Sequence, residues 1–264
     1  MSLGQTIRAE STDSHGSSSY APFIHRSGIR RLRPTSQFAA VETGNSILDG
    51  LSREMTEMIE PFLNTSELSK ERVLFQEEDR LQTIYFPLTA VISEFRSLED
   101  GRMVEIAVSG NEGAIGLSTL LSGSQIAHNY TQVSQAGRVS SISANNLDHL
   151  LKSNDALRFA LGRHTDAYIR QISQKAICNM YHSVKERICT WLLMIQDRSG
   201  RSSMTLTHEQ ISRSLGVNRP SVSRMAHELL ESNLISYSRG QLKIRDRDRV
   251  ERSACTCYLE LASA

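Results

Sequence analysis

The run Thr207-His208-Glu209-Gln210-Ile211-Ser212-Arg213-Ser214-Leu215-Gly216-Val217-Asn218-Arg219-Pro220-Ser221-Val222-Ser223-Arg224 constrains this chain more than any other stretch. It holds two helix starts, one helix stop and a polar face. Thr207 suits an N-cap, with Glu209 and Gln210 in the opening turn of a first helix. Ile211 and Leu215 stand on one face of that helix. Gly216 comes where a helix end commonly needs a left-handed residue, and Val217 is apolar enough to plug the turn into a core. Asn218 suits the cap of a second helix. Pro220 fits that helix's first turn, where its missing N–H has no partner to lose.

The spacing predicts the second helix from Arg219 to Glu231. Val222, Ala226 and Leu229 fall on one side of it, while Pro220, Arg224 and His227 point the opposite way. Small and basic side chains near a helix start suit entry into the DNA major groove. Ser221 and Ser223 permit close approach, and Arg224 reaches a guanine edge or a phosphate. Thr207, His208, Asn218 and Arg219 border the same face and complete the candidate contacts. An ordinary amphipathic helix pair would share this periodicity. The stretch after the second helix tips the balance toward DNA binding. Leu234-Ile235-Ser236-Tyr237 and Gln241-Leu242-Lys243-Ile244 alternate as strands do, joined by Ser238-Arg239-Gly240. A helix-turn-helix with a basic hairpin after it is a winged helix, and Arg239 at the tip is placed for a phosphate backbone.

The segment "LTHEQISRSLGVNRPSVSRMAHELLESNLISYSRGQLKI" (206–244) resembles the DNA-binding domain of the Crp/Fnr family of bacterial transcription regulators. The preceding "HSVKERICTWLLMIQDR" (182–198) is similar to the helix that introduces this domain. Upstream, "IYFPLTAVIS" and "DGRMVEIAVSGNEGAIGL" resemble the family's sensory β-roll, related to cyclic-nucleotide-binding domains, and "CTCY" (255–258) resembles the tail of one subgroup. The likeness spans roughly residues 45 to 258. It implies an α+β fold: an N-terminal β-roll, a long dimerisation helix and a C-terminal winged helix-turn-helix. The expected division is a flexible tail over 1–44, a sensory β-roll over 45–152, a dimerisation helix over 153–181, a DNA-binding domain over 182–258 and a tail over 259–264.

Charge agrees with that division. The whole chain carries a formal +1, but residues 182–264 carry +4, residues 45–181 carry −5 and residues 1–44 carry +2. A basic C-terminal third on an acidic body fits a DNA-binding domain joined to something else. No apolar run approaches membrane-span length, and no secretory signal opens the chain. The cytoplasm and no membrane partner are therefore expected.

Between the ends, Leu51, Met55, Met58 and Phe62 predict a helix over 47–63. Short strand-like runs come next at 83–87, 90–95 and 103–108, with Asp100-Gly101 as a hairpin signal, then at 129–135 and 139–142. Residues 144–152 and 154–181 read as helices. In the second, Leu157, Leu161, His164, Tyr168 and Ile172 keep a three–four rhythm that suits a two-stranded seam. The same rhythm fits a helix packed on its own β domain. The resemblance favours the homodimer, which matches two-fold operators.

Nucleotide-binding members of the family hold the ribose and phosphate through a Gly-Glu pair and a later Arg. In this chain Gly116 matches the glycine, Leu117 stands in the Glu position and Ala127 in the Arg position, with His128 beside it. Loss of both charged groups implies no cyclic AMP binding of the usual kind. Glu112, Gly113, Gly116, Leu117, Ala127 and His128 mark the corresponding pocket, whose effector the sequence does not name.

Four cysteines in a chain of 264 residues do not form a disulfide framework. Cys178 and Cys189 lie in apolar helical segments and read as buried thiols. Cys255 and Cys257 form a C-x-C with no ligand nearby in sequence, so neither a metal nor a cofactor is expected. The iron–sulfur sensors of the family use mostly N-terminal cysteines, and this chain has none before Cys178. No Walker loop, nucleophile elbow or His-Glu-x-x-His occurs, which argues against an enzyme. The expected function is a homodimeric, sequence-specific transcription regulator with double-stranded DNA and RNA polymerase as partners. The alternative is a ligand sensor whose winged helix contacts protein instead.

Overall fold

The computed structural model describes residues 43–262, so nearly all of the expected N-terminal tail lies outside the described residues. Two short helices come first, α1 (Ser46–Asp49) and α2 (Arg53–Ile59). A single helix over 47–63 was expected from the apolar spacing. Gly50 ends the first piece, and Ser52 starts the second by accepting a hydrogen bond from the Met55 N–H. Asn45, fully buried, ties this segment down by donating to the carbonyls of Pro87 and Gly113, 2.9 Å each.

The strands β1 (Asn64–Leu68), β2 (Val73–Phe75), β3 (Thr83–Pro87), β4 (Val91–Ser97) and β5 (Met103–Ser109) come next, then the short helix α3 (Leu117–Leu121), then β6 (Tyr130–Gln135) and β7 (Gly137–Ser143). They form two antiparallel sheets, ordered β1-β7-β3 and β2-β6-β4-β5. Ile84, Phe86, Ile92, Val133, Val139 and Ile142 fill the space between, each at most 2% exposed. Burial of such side chains contributes roughly 1.5–3 kcal/mol apiece. β1 gave no sequence signal because four of its five residues, Asn64 to Glu67, are polar and exposed.

Helix α4 (Ala144–Ser153) leads into α5 (Asp155–Tyr181), a single 27-residue helix capped by Asn154. Here the structure corrects the expected seam at Leu157 and Leu161. Leu157 and Leu161 are fully buried in the β-roll core beside Leu117 and Leu120. His164 Nε2 lies 3.2 Å from the Ala114 carbonyl, and the Tyr168 hydroxyl donates to Glu94. Ile172 is half-buried. A three–four rhythm marks one buried face but not what buries it, and here the chain's own β-roll does. The other side of α5 exposes Phe159, Ile169 and Met180 at 77%, 56% and 74%.

The C-terminal part comprises α6 (Val184–Ser199), β8 (Ser203–Thr205), α7 (His208–Leu215), α8 (Arg219–Glu231), β9 (Ile235–Ser238), β10 (Gln241–Ile244), α9 (Arg247–Ser253) and α10 (Cys257–Ala262). The wing is a three-stranded sheet, β8-β10-β9, of which β8 was not anticipated. Val91 and Val108 of the β-roll join the apolar cluster built on α6, so packing continues across residue 182. The expected tail from 259 instead begins inside α10, where Leu261 is buried.

Leu161→Ala should therefore lower the folding free energy by about 2–5 kcal/mol, as loss of a core leucine does. Urea unfolding monitored by circular dichroism reads this directly. An unmoved midpoint would place Leu161 outside the core.

Candidate nucleic-acid interface and sensory cleft

Local chemistry assembles the helix-turn-helix. Thr207 accepts from the Gln210 N–H at 3.1 Å, and Gln210 Oε1 accepts from the Thr207 N–H at 3.0 Å, closing a capping box. Gly216 ends α7 at φ +62°, a conformation that a side chain would strain. Ser212 Oγ donates to the Val217 carbonyl and holds the turn at 2.7 Å. Asn218 Oδ1 then accepts from the Ser221 N–H at 2.9 Å, and α8 begins with Pro220 in its first turn.

Val222, Ala226 and Leu229 are buried beneath α8, so its other face is fixed outward. Asn218, Arg219, Pro220, Arg224 and His227 are exposed there, with Ser221 half-buried at the edge. Ser223 is also half-buried, and its hydroxyl lies 3.0 Å from His208 Nδ1. The His208 ring packs against Tyr237, centroids 5.3 Å apart. Thr207 and His208 thus brace the turn and the wing, which their polarity alone did not show. At the wing tip Arg239 and Gly240 both have positive φ, 50° and 76°, as a two-residue hairpin turn matched to strand twist requires. Arg219, Arg224 and Arg239 are exposed cations with no acidic partner among the described residues.

The pocket residues scatter. Leu117 and Ala127 are buried in the β-roll core. Glu112 turns the other way and pairs with Arg198 of α6, Nε to Oε1 2.5 Å, while also accepting from the Gly110 N–H. Gly113 gives its carbonyl to Asn45. Gly116 and His128 do meet, in a cleft of about 220 Å³ between the β-roll and α5. Glu94, Asn129 and Tyr168 stand on one side of its polar lining, to which Ser118, Thr119 and Ser122 also contribute. None of these three was singled out for that role by sequence spacing, because they come from a strand, a loop and a helix. Asn129 Nδ2 and the Tyr168 hydroxyl both donate to Glu94 Oε2, at 2.9 and 3.1 Å. Burial pushes the Glu94 carboxyl above its ordinary range, against the opposing pull of these two donors. Burial likewise raises Tyr168 and lowers His164 below its usual value.

Residues 186–253 match the family of Crp-like helix-turn-helix domains. The global nitrogen regulator of Synechocystis sp. is 21% identical over 199 residues, 72% of this chain and 88% of that protein. The structure of FixK2 from Bradyrhizobium japonicum superposes with a TM-score of 0.62 at 18% identity, covering 74% of this chain and 98% of that one. The c-di-GMP-responsive global regulator CLP of Xanthomonas campestris gives 0.60 at 16% identity, over 74% of this chain and 100% of that one. The two solved structures share the fold of this chain. Among the described residues no helix is long and apolar enough to cross a membrane.

The raised Glu94 carboxyl has a definite pH consequence. A group whose folded pKa exceeds its unfolded value stabilises fully below the unfolded value, and loses that contribution as pH rises through the folded one. Glu94→Gln keeps a neutral side chain at all pH. Its stability should match wild type in acid and exceed it increasingly from the normal carboxylate range upward. Urea midpoints across a pH series test this, and parallel profiles for the two proteins would refute it.

Proposed function

We propose that the chain is a Crp/Fnr-type transcription regulator whose helix-turn-helix domain binds DNA, and that it acts as a homodimer which sets α8 of each protomer into the major groove. The carrying observation is the outward face of α8, where Arg219 and Arg224 stand exposed beside small side chains, with Arg239 on the adjacent wing. Arg224 is the base-reading residue, Arg219 and Arg239 are phosphate contacts, and Asn218 and Ser221 border them. Pro220 offers no hydrogen-bonding group, so the base pair beneath it is read by shape or not at all. Thr207, His208 and Ser223 serve mainly by holding the turn.

In this reading the dimer forms through the exposed side of α5. Phe159, Ile169 and Met180 are large apolar groups left open to solvent, and Gly162 on the same helix has open space beside it that lets a second helix approach. The work is regulatory rather than enzymatic, in the cytoplasm, with RNA polymerase as the further partner. An effector would occupy the Glu94–Asn129–Tyr168 cleft. With Leu117 and Ala127 in the core, that cleft has no fixed guanidinium for a phosphate, so cyclic AMP is not the effector.

Selection of bound sequences from random DNA should yield a two-fold site. Against that site Arg224→Ala should lose about 1–3 kcal/mol and relax preference at one base pair, whereas Arg239→Ala should weaken binding evenly across sequences and reduce the salt slope. Equal affinity of Arg224→Ala and wild type would remove the base-reading role.

Ile169→Glu should leave a folded chain that sediments as a monomer and binds the site weakly, because it sets like charges across the seam. A Glu variant that remains fully dimeric would move the interface off this face.

A further inference from the structure

The hinge around His182 holds a cluster that the DNA-binding reading does not use. Cys178 sits in the last turn of α5, and His182 is the C-cap of that helix. Cys257 opens α10, and Cys255 lies just before it. Three sulfur atoms and a ring nitrogen from these residues all lie within 4.8 Å of one another. Cys178 Sγ and Cys255 Sγ are 3.5 Å apart, and Cys257 Sγ and His182 Nδ1 are 3.4 Å apart. A tetrahedral ion with metal–sulfur bonds of ~2.3 Å and metal–nitrogen bonds of ~2.0 Å sets ligand-to-ligand edges of roughly 3.5–3.8 Å. Two of the six separations, 3.5 and 3.4 Å, already have the size of such edges, and the other four stay within 4.8 Å.

The surroundings suit an ion as well. Cys178, Cys255 and Cys257 are 7%, 4% and 2% exposed, so their thiols are shielded from solvent. Gln174 Nε2 donates to Cys257 Sγ at 2.9 Å, and Thr190 Oγ1 lies 3.0 Å from Cys255 Sγ. Outer hydrogen bonds of this kind orient ligating sulfurs and spread their charge. The buried guanidinium of Arg187 is close enough to couple with the charge on Cys178 and Cys255. Three thiolates around a dication leave one negative charge, which Arg187 offsets. The donor set is soft sulfur with one imidazole and no carboxylate, which selects zinc-class metals over magnesium or calcium.

We propose that Cys178, His182, Cys255 and Cys257 bind a single zinc-class ion, which clasps the segment after the winged helix to the hinge between α5 and α6. On binding, each thiol releases its proton to solvent and the ring nitrogen uses its neutral lone pair; no electron is transferred. The C-x-C motif looked insufficient in sequence because its partners lie 77 and 75 residues away.

The test uses the full chain, purified under reductant without chelator. Elemental analysis should find one zinc per chain. After chelation, titration with Co²⁺ should give the intense visible bands and thiolate charge-transfer absorption of a tetrahedral sulfur site, saturating at one ion and displaced by Zn²⁺. The pair Cys255→Ser/Cys257→Ser should lose both spectrum and metal. Because that pair also alters the core, Gln174→Ala serves as the milder variant; it keeps all four ligands and should weaken affinity about 10–100-fold. A metal-free protein with only the weak bands of hydrated cobalt would overturn the proposal. So would an unchanged cobalt spectrum in the double variant, or a Cys178–Cys255 disulfide in reductant-free protein that takes up no metal.

Discussion

The arrangement of this chain turns on one buried carboxylate. Glu105 of β5 is 1% exposed, and three parts of the fold converge on it. Lys175 of α5 reaches Oε1 at 2.6 Å, the Trp191 indole of α6 donates to the same atom at 3.1 Å, and Ser93 of β4 donates to Oε2 at 2.7 Å. A charge in such a place is costly unless paired and hydrogen-bonded. Loss of one partner from a buried pair commonly costs about 3–5 kcal/mol, because the other charge is stranded. The β-roll, the long helix and the first helix of the winged domain are thereby held to a common geometry. None of them satisfies Glu105 alone.

Around that point the contact between β-roll and winged domain is mixed in chemistry. Arg198 pairs with Glu112 and packs over Gly110, where no side chain would fit. Lys70 donates to the Thr205 carbonyl and to Gln210, and Gln210 donates to Glu71. Arg213 of α7 lies 5.9 Å from the Phe95 ring. One face of α5 meets the core through Leu161, the cleft through Tyr168, the carboxylate through Lys175 and the hinge through Cys178. At 1.5 Å per residue these stations succeed one another within roughly 26 Å of a single unbroken helix. Whatever fills the cleft therefore bears on the same rigid element that ends at the DNA-binding domain.

Much of this was legible in the chain itself, and the misses have physical causes. The helix-turn-helix could be read because its caps are local: Thr207, Gly216 and Asn218 each act within a few residues. The strand over 130–135 alternates in burial and was visible for that reason, whereas β1 hides its pairing in polar residues. Leu157 and Leu161 were placed in a seam because spacing gives a face but not its neighbour. The cleft escaped because Glu94, Asn129 and Tyr168 meet only after strands and helix have docked. The His208–Ser223 brace joins two helices across a turn and had no local signal.

The clustering of Cys178 with Cys255 and Cys257 also sets an order of events during synthesis. The two later cysteines are made only after every residue of the winged helix. A nascent chain can complete the β-roll and α5 while Cys178 still lacks its partners, since domains commonly fold from the N-terminal side as they emerge. Closing a loop of this length carries an entropic cost that grows only slowly with further length. The clasp between Cys178 and the two later cysteines thus closes only after the whole winged helix has been made, later than the Glu105 contacts that already join α5 to α6.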